Sequence, residues 1–556
     1  MTGRLRLVAM VAAGLIASSL VTGTALAQEA SQVTGVVVEQ ADGFATLGWD
    51  PVAGATDYQI ERTPVDAADV PTGAATIVGV WRPNRTVTPD SPTFADAGFN
   101  PGDRFQWRVR ARSGTTVHPF STPVFDTTLP PWGSPAVPGE NLRTQWELTQ
   151  AAQFTSDVNE YAYTAALDAA SERVRVVEIG RTVLGRPINM FVIGYPTPPR
   201  NVRAIAGSTA ALINCNVHGN EPSSREACLI MARELAFADD PRTLAILAST
   251  TVLIVPTING DGRAANTRGN VTGQDLNRDY SLIRQPETFA FVQMMRDYRP
   301  EAAFDGHEFG NNQAGDLPVL PPRHLNVARS IFDQSKSMIE DWLYEQGSDD
   351  GWWYCPYGCQ SGGAVGLSQE TILRNLMGLK SVVGSLLEAR SAGGATRPNE
   401  LNAPNNRRRK TYSALYTYQQ FLDYQLATQG AIAQAIEESI AFQESNTGRI
   451  VFRGSYSIPA FPAPHPGESP PPEEPPDGIL DPPPCGYVLS EQQYSGAQPD
   501  GRPVGERLAA HGLKVADRKG RNDHWVPMDQ PQRGLIPLLL DGQAAEPMVA
   551  AQRVAC

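Results

Sequence analysis

The chain has 556 residues, 41% hydrophobic and 19% charged, with a formal net charge of -13. That length exceeds one core and sets an expectation of three or four domains. The acidic balance, without a Lys/Arg stripe, excludes a nucleic-acid footprint, and the RRRK at 407–410 reads as a solvated loop.

Residues 1–27 read as a signal peptide: "MTGRLR" carries two arginines, an apolar run follows, and Ala25-Leu26-Ala27 places small residues at a cut after Ala27. A membrane anchor is the competing reading, disfavoured by that site and by the polar sequence beyond it. No later segment is apolar enough to span a bilayer, so the expectation is a secreted protein. Its six cysteines then suit bridges. Cys355 with Cys359 and Cys485 with Cys556 are natural pairs; Cys215 and Cys228 fit a bridge or buried thiols equally. A metal knuckle at Cys355-Pro-Tyr-Gly-Cys359 lacks a second ligand pair.

Residues 31–128 alternate apolar and polar positions in short runs such as "FATLGWDPV" and "DYQIERTPV", which predicts a β-sandwich of about a hundred residues. Trp49 and the "FQWRVRAR" strand resemble the fibronectin type III module, to which no chemistry is assigned. A Pro/Gly linker occupies 129–140. From 141 to 445, apolar strands ("RVRVVEIG", "INMFVIG", "AALINCNVH", "STTVLIVPT", "EAAFDGHE", "KSVVGSLLEAR") alternate with stretches of helical spacing. This predicts an α/β domain with a mixed, mainly parallel sheet, closed by a helix over roughly 411–444. A Pro-rich spacer follows at 457–484, and 485–556 is a small C-terminal region of unknown role.

Ligand sites of such sheets lie outside the carboxyl ends of the strands. His218 ends one strand, and Glu221 follows just before Pro222 opens a helix. An H-x-x-E string is common by chance, and its bland reading is a loop histidine with a helix-capping acid. A catalytic zinc needs a third ligand and an open position. Of the seven histidines, His307 in "EAAFDGHEFG" also ends an apolar strand; His324 is its nearest competitor, and His118, His465, His511 and His524 lie outside the α/β domain. Between the two histidines, "INGDGRAANTRGNVTGQDLNRDY" reads as a surface loop, but Arg268 and Arg278 suit a carboxylate clamp or oxyanion donor. Glu388, ending "VVGSLLE", suits a partly desolvated general base; its structural alternative is a surface pair with Arg390.

Taken in order, H-x-x-E, N-x-D-G, R-x-N, D-L-N-R, a strand-terminal His and E-x-R resemble the zinc carboxypeptidases of the carboxypeptidase A type, over about 141–445. The resemblance implies one Zn2+ per chain on His218, Glu221 and His307, with Glu388 activating the attacking water and returning its proton to the leaving amine. It implies that Arg268 stabilises the oxyanion, and that Asn277 and Arg278 grip the terminal carboxylate of a peptide or protein substrate. The sequence departs from the family at Gly260, where a proline is usual, and adds Glu308 beside His307. Tyr354 and Tyr357 are the candidates for the substrate-capping tyrosine, and neither falls on the family's pattern. Two alternatives remain: a cell-wall peptidase or acyl-amino-acid deacylase on the same scaffold, and a non-catalytic binding protein with a degenerate hydrolase domain.

Overall fold

The computed structural model describes residues 32–41, 44–81, 92–97, 99, 103–125, 142–310, 315–357, 367–391, 403–458, 472–498, 500–518 and 520–556. The signal-peptide and linker readings fall outside these residues, as does Cys359.

The N-terminal region is built of strands β1 (Val37–Ala41), β2 (Phe44–Gly48), β3 (Asp57–Pro64), β4 (Thr76–Trp81), β5 (Thr93–Asp96), β6 (Phe105–Ser113), β7 (Thr116–Val117) and β8 (Val124–Phe125). They form two antiparallel sheets, ordered β1-β2-β5 and β4-β3-β6-β7, with β8 also on β6. Period-2 alternation explains β6: Trp107, Val109 and Ala111 point inward, while Arg108 and Arg110 face the other side. Trp49, Leu47, Tyr58, Ile60 and Trp107 fill the core shared by the two sheets. The region rests on Ser348–Gly351 of the following domain: Ala95 N–H donates to the Gly351 carbonyl at 3.2 Å, and the Thr46 hydroxyl donates to the Asp350 carbonyl at 3.1 Å. Gly351 has φ +83°, and a Cβ there would stand 2.3 Å from the Ala95 nitrogen, so only glycine fits.

The second domain carries β9 (Val174–Arg181), β10 (Pro187–Ile193), β11 (Ala210–Cys215), β12 (Thr251–Val255), β13 (Ala302–Phe309), β14 (Leu317–Leu320), β15 (Tyr354–Pro356) and β16 (Val383–Arg390). One eight-stranded sheet runs β15-β14-β16-β13-β11-β12-β10-β9. Its centre is parallel, through β12, β11, β13 and β16, while β9, β10 and the β14/β16 pairing are antiparallel. The mixed, mainly parallel sheet read from the sequence is thus present. β11 and β12 are buried at every position, as strands covered on both faces must be. β14 and β15 escaped the sequence reading because each spans one short segment containing a proline.

One expectation is overturned. RRRK at 407–410 is not a loop but lies in the helix Ala403–Glu444, with Arg408, Arg409 and Lys410 buried. Arg407 and Arg408 donate to the carbonyls of Ala151 and Gln150, and Lys410 pairs with Glu308 at 2.5 Å. Buried partners, absent from any local pattern, make this charged run part of the packing.

β17 (Ile450–Arg453) pairs with β18 (Asp477–Leu480), so the described part of the Pro-rich spacer contributes a strand. β19 (Gly486–Ser490), β20 (Ala516–Asp517), β21 (Asp523–Pro527) and β22 (Gln552–Val554) form a sheet ordered β20-β21-β19-β22, closed by the Cys485–Cys556 disulfide. Tyr487, Leu508 and Leu539 join the same hydrophobic core as the central strands. No helix among the described residues is long and apolar enough to cross a membrane.

Candidate active site

The turn after β11 is set by local chemistry. Asn216 takes the left-handed conformation, at φ +54°, and its side-chain amide donates to the carbonyls of His218 (2.8 Å) and Glu221 (3.1 Å). Glu221 N–H closes the turn on the His218 carbonyl, and Pro222 opens the helix Pro222–Phe237. A Cβ at Gly219 would lie 2.0 Å from the Gly262 backbone, so only glycine lets this turn meet the segment opened by Asn259. The Cys215–Cys228 disulfide ties β11 to that helix. Closing a loop of this size is worth about 3 kcal/mol in the chain-entropy account.

His218, Glu221 and His307 converge, all buried, with one donor atom from each lying within 4.8 Å of the others. His218 Nδ1 is 2.9 Å from Glu221 Oε1, His307 Nδ1 is 3.0 Å from Glu221 Oε2, and the two Nδ1 atoms are 3.1 Å apart. Two imidazoles and a carboxylate turned toward one point fit a zinc ion, whose site takes three protein ligands and leaves a fourth position open. Each imidazole is backed at its far nitrogen: His307 Nε2 meets Asp305 Oδ2 at 2.9 Å, and His218 Nε2 meets Asp275 Oδ1 at 3.1 Å. Such carboxylates fix tautomer and ring orientation. Asp305 is itself held by the Asn214 amide at 3.0 Å.

Burial works to raise the Glu221 carboxyl, but the charges and hydrogen bonds of His218 and His307 outweigh it and hold it well below the usual range. For His307 burial favours the neutral ring, yet Asp305 and then Glu221 outweigh it and draw the imidazole well above its ordinary value.

His307 and Glu388 are register partners on β13 and β16, so both side chains leave the sheet on one face. Burial, reinforced by Glu221 and Asp305 and opposed by His307 and Arg268, pushes the Glu388 carboxyl up to about 8. The alternative pairing of Glu388 with Arg390 is absent among the described contacts of Glu388; Arg390 is buried against Asp316 at 3.0 Å. Glu308 turns away from the cluster, toward Ser223 and Lys410.

The Asn/Gly/Arg stretch read as a loop contains the helix Gly260–Ala265 and a 3-10 turn at Leu276–Arg278. Asn259 caps the former through Gly262 N–H and donates to the Val217 and Arg268 carbonyls. Asp261 binds Thr182, Leu184 N–H and Arg186, so Gly260 stands in a well-fixed turn without its usual proline. Arg268, half-exposed, reaches Glu221 Oε1 at 3.3 Å and Asp275 Oδ2 at 3.1 Å. Asn277 is buried: its Nδ2 lies 3.1 Å from His307 Nε2, and its Oδ1 accepts from Leu373 N–H at 3.0 Å. Arg278 donates to the Asn277 carbonyl.

The two tyrosines separate. Tyr354 is buried with its hydroxyl on Thr417, away from the cluster. Tyr357 packs edge-on against Phe309 and lies within electrostatic reach of Glu388, Arg374 and Arg268; burial first, then Glu388, push its phenol up to about 12. His324 is buried elsewhere, bonded to Asn326 N–H, and His511 meets the Ser281 carbonyl at 2.8 Å. Sequence reasoning missed Asp275 and Asp305. The D-x-H spacing in "FDGHE" was the available signal, since a carboxylate two residues before a ligand on one strand shares its face.

Residues 160–315 match the family model described as zinc carboxypeptidase. The segment includes His218, Glu221 and His307 but ends before Glu388. Carboxypeptidase SOL1 of Arabidopsis thaliana is 32% identical over 173 residues, 29% of this chain and 34% of that protein. Carboxypeptidase D of Mus musculus is 29% identical over 245 residues, 36% of this chain and 16% of that protein. The chain thus spans about a third of these curated relatives or less. A metallo-carboxypeptidase structure from Burkholderia cenocepacia aligns with a TM-score of 0.38 and 20% identity, covering 48% of this chain and 70% of that one. By its matched segment and its named relatives, the chain carries a zinc carboxypeptidase domain.

Proposed function

We propose that the protein is a secreted zinc metallocarboxypeptidase that hydrolyses the C-terminal peptide bond of peptides or proteins. The observation that carries this reading is the convergence of His218, Glu221 and His307 with Glu388 as the register neighbour of His307. One zinc held there would supply Lewis-acid polarisation of the scissile carbonyl and of water. Glu388 takes the proton of the attacking water and returns it to the leaving amine, and its partly desolvated carboxylate suits that exchange. Arg268, on the exposed side of the cluster, donates to the developing oxyanion. Arg278, with Asn277 beside it, receives the substrate's terminal carboxylate. Asp305 and Asp275 keep each imidazole's Nδ1 turned to the ligand point.

Secretion is supported by the pattern of residues 1–27 and by the disulfides, which persist in oxidising compartments. The two N-terminal sheets are read as a fibronectin type III-like spacer without chemistry.

The test is metal content and hydrolysis of blocked dipeptides on one sample, before and after chelation. About one zinc per chain with chelator-sensitive release of the last residue is the expected result. Zinc without peptide turnover moves the assignment to muropeptides or acyl-amino acids, and absence of zinc removes the ligand assignment altogether.

A further inference from the structure

We infer that Glu308 is a positioning residue for the metal site: reaching across from β13, it caps the helix that Glu221 opens and leaves the Glu221 carboxylate free to face the two histidines. This rests on the ligand reading above. Glu221 stands at the N-cap of the helix Pro222–Phe237, where a side-chain oxygen ordinarily accepts from a first-turn N–H. It makes no such bond. Its Oε1 lies 2.9 Å from His218 Nδ1 and its Oε2 3.0 Å from His307 Nδ1, so both oxygens are committed to the cluster. Pro222 has no N–H, which makes Ser223 the first backbone donor of the helix. Glu308 Oε1 accepts from the Ser223 N–H at 2.6 Å and from the Ser223 hydroxyl at 2.5 Å.

The contact is reciprocal. The Glu308 N–H donates to Glu221 Oε2 at 3.1 Å, so one residue of β13 holds the ligand carboxylate with its backbone and the start of the ligand's helix with its side chain. The pattern is that of a capping box whose acid comes from a strand instead of the helix's own first turn. A carboxylate there also suits the positive end of the helix dipole. The Ser224 hydroxyl adds a second tie between the same two elements, donating to the His307 carbonyl at 3.3 Å. The Glu308 side chain is only 4% exposed, and Lys410 from the helix Ala403–Glu444 supplies its counter-charge at 2.5 Å. The Lys410 ammonium also lies 5.2 Å from the centre of the Phe154 ring, so it is held on two sides. The turn that carries His218 and Glu221 is thereby clasped to the strand that carries His307.

The experiment uses the full chain and compares two double variants, both without the Glu308–Lys410 charges. In Glu308→Gln/Lys410→Met the amide oxygen still accepts from Ser223; in Glu308→Leu/Lys410→Met the bulk remains but the acceptor is gone. Zinc affinity is read by competition with a chelator, and protection of the Ser223 N–H by hydrogen exchange on the metal-free protein. The Leu variant is expected to bind zinc about 10–100-fold more weakly than the Gln variant, and to lose protection at Ser223. Equal zinc affinity in the two variants overturns the inference, even where the Leu variant melts earlier, because a residue needed only for stability would produce that result. Undiminished protection at Ser223 in the Leu variant overturns it as well. Should the Leu variant not fold, Glu308→Asp, whose carboxylate stops one methylene short of Ser223, is compared with the wild type by the same two readouts. Weaker zinc binding with lost protection upholds the inference, and no change in either overturns it. If the wild type takes up no zinc, the ligand reading has failed by itself. The clasp is then judged by exchange alone: protection kept in the Gln variant and lost in the Leu variant upholds it, and equal protection overturns it.

Discussion

The site has two halves of different construction. His307 and Glu388 sit on adjacent strands in register, backed by Asp305 inside the sheet, where backbone pairing fixes their spacing. His218, Glu221, Asp275 and Arg268 come from turns, and one side chain holds another: Asn216 the first turn, Asn259 the second, Asp275 the His218 ring. The sheet half is held by the backbone ladder, and the loop half by turn hydrogen bonds, a disulfide and, above all, side chains that reach across from one turn to the next. A substitution in the first is expected to change chemistry locally; one in the second spreads along the chain of contacts.

The largest test of this contrast is His307→Ala, expected to abolish both zinc binding and turnover, read by metal analysis after dialysis. Glu388→Gln comes next: activity should fall by about 10²–10⁴-fold with zinc retained. Loss of metal in that variant would show that the strand pair does not act locally. Arg268→Ala should lower kcat by about 10²–10³-fold. Because Arg268 also pairs with Glu221 and Asp275, weakened zinc binding should accompany the loss, unlike in Glu388→Gln. Asp305→Asn and Asp275→Asn are each expected to weaken zinc binding by about 10–100-fold. The buried Asp305 should lie at the upper end and the more exposed Asp275 at the lower, measured by competition with a chelator. The reverse order would place the tighter support in the loops.

The smallest effect concerns stability. Burial raises the Glu370 carboxyl, in the segment leading to the helix Leu373–Leu379, from 4.5 to about 7. A raised carboxyl means that the folded state holds a proton which the unfolded state has released between those values. Stability contributed by Glu370 is therefore lost as pH rises from about 4.5 to 7, by about 1–3 kcal/mol. Glu370→Gln should flatten that slope in denaturant titrations, and an unchanged slope would remove Glu370 as its source.

The same division explains what could be read from the sequence. Apolar strands with a polar residue near the carboxyl end were legible, because burial on both faces imposes continuous hydrophobicity; that pattern pointed to His218, which lies in the turn after β11, and to His307 and Glu388, which lie near the ends of β13 and β16. Glu221 followed from Pro222 and the helix start. The roles of Asp275, Asp305 and Lys410 were not legible. Their meaning depends on partners 57, 91 or 102 residues away, such as His218, Asn214 and Glu308, and no local period records those. The choice between Tyr354 and Tyr357 needed the pairing of β14 with β15, which turns one inward and leaves the other near Glu388.

The union of the C-terminal region with the central core has a consequence for the order of events in synthesis. His511 accepts from the Lys380 ammonium through its carbonyl and meets the Ser281 carbonyl with its ring, and Arg507 donates to the Leu282 carbonyl. The segment just after the Asn277–Arg278 turn and the one just before β16 are therefore joined through residues translated more than a hundred positions later. While the ribosome is still making those residues, the candidate ligand histidines already exist but these long-range contacts do not. Packing of the C-terminal region onto the central core is thus completed late, at the pace of long-range docking rather than of local folding.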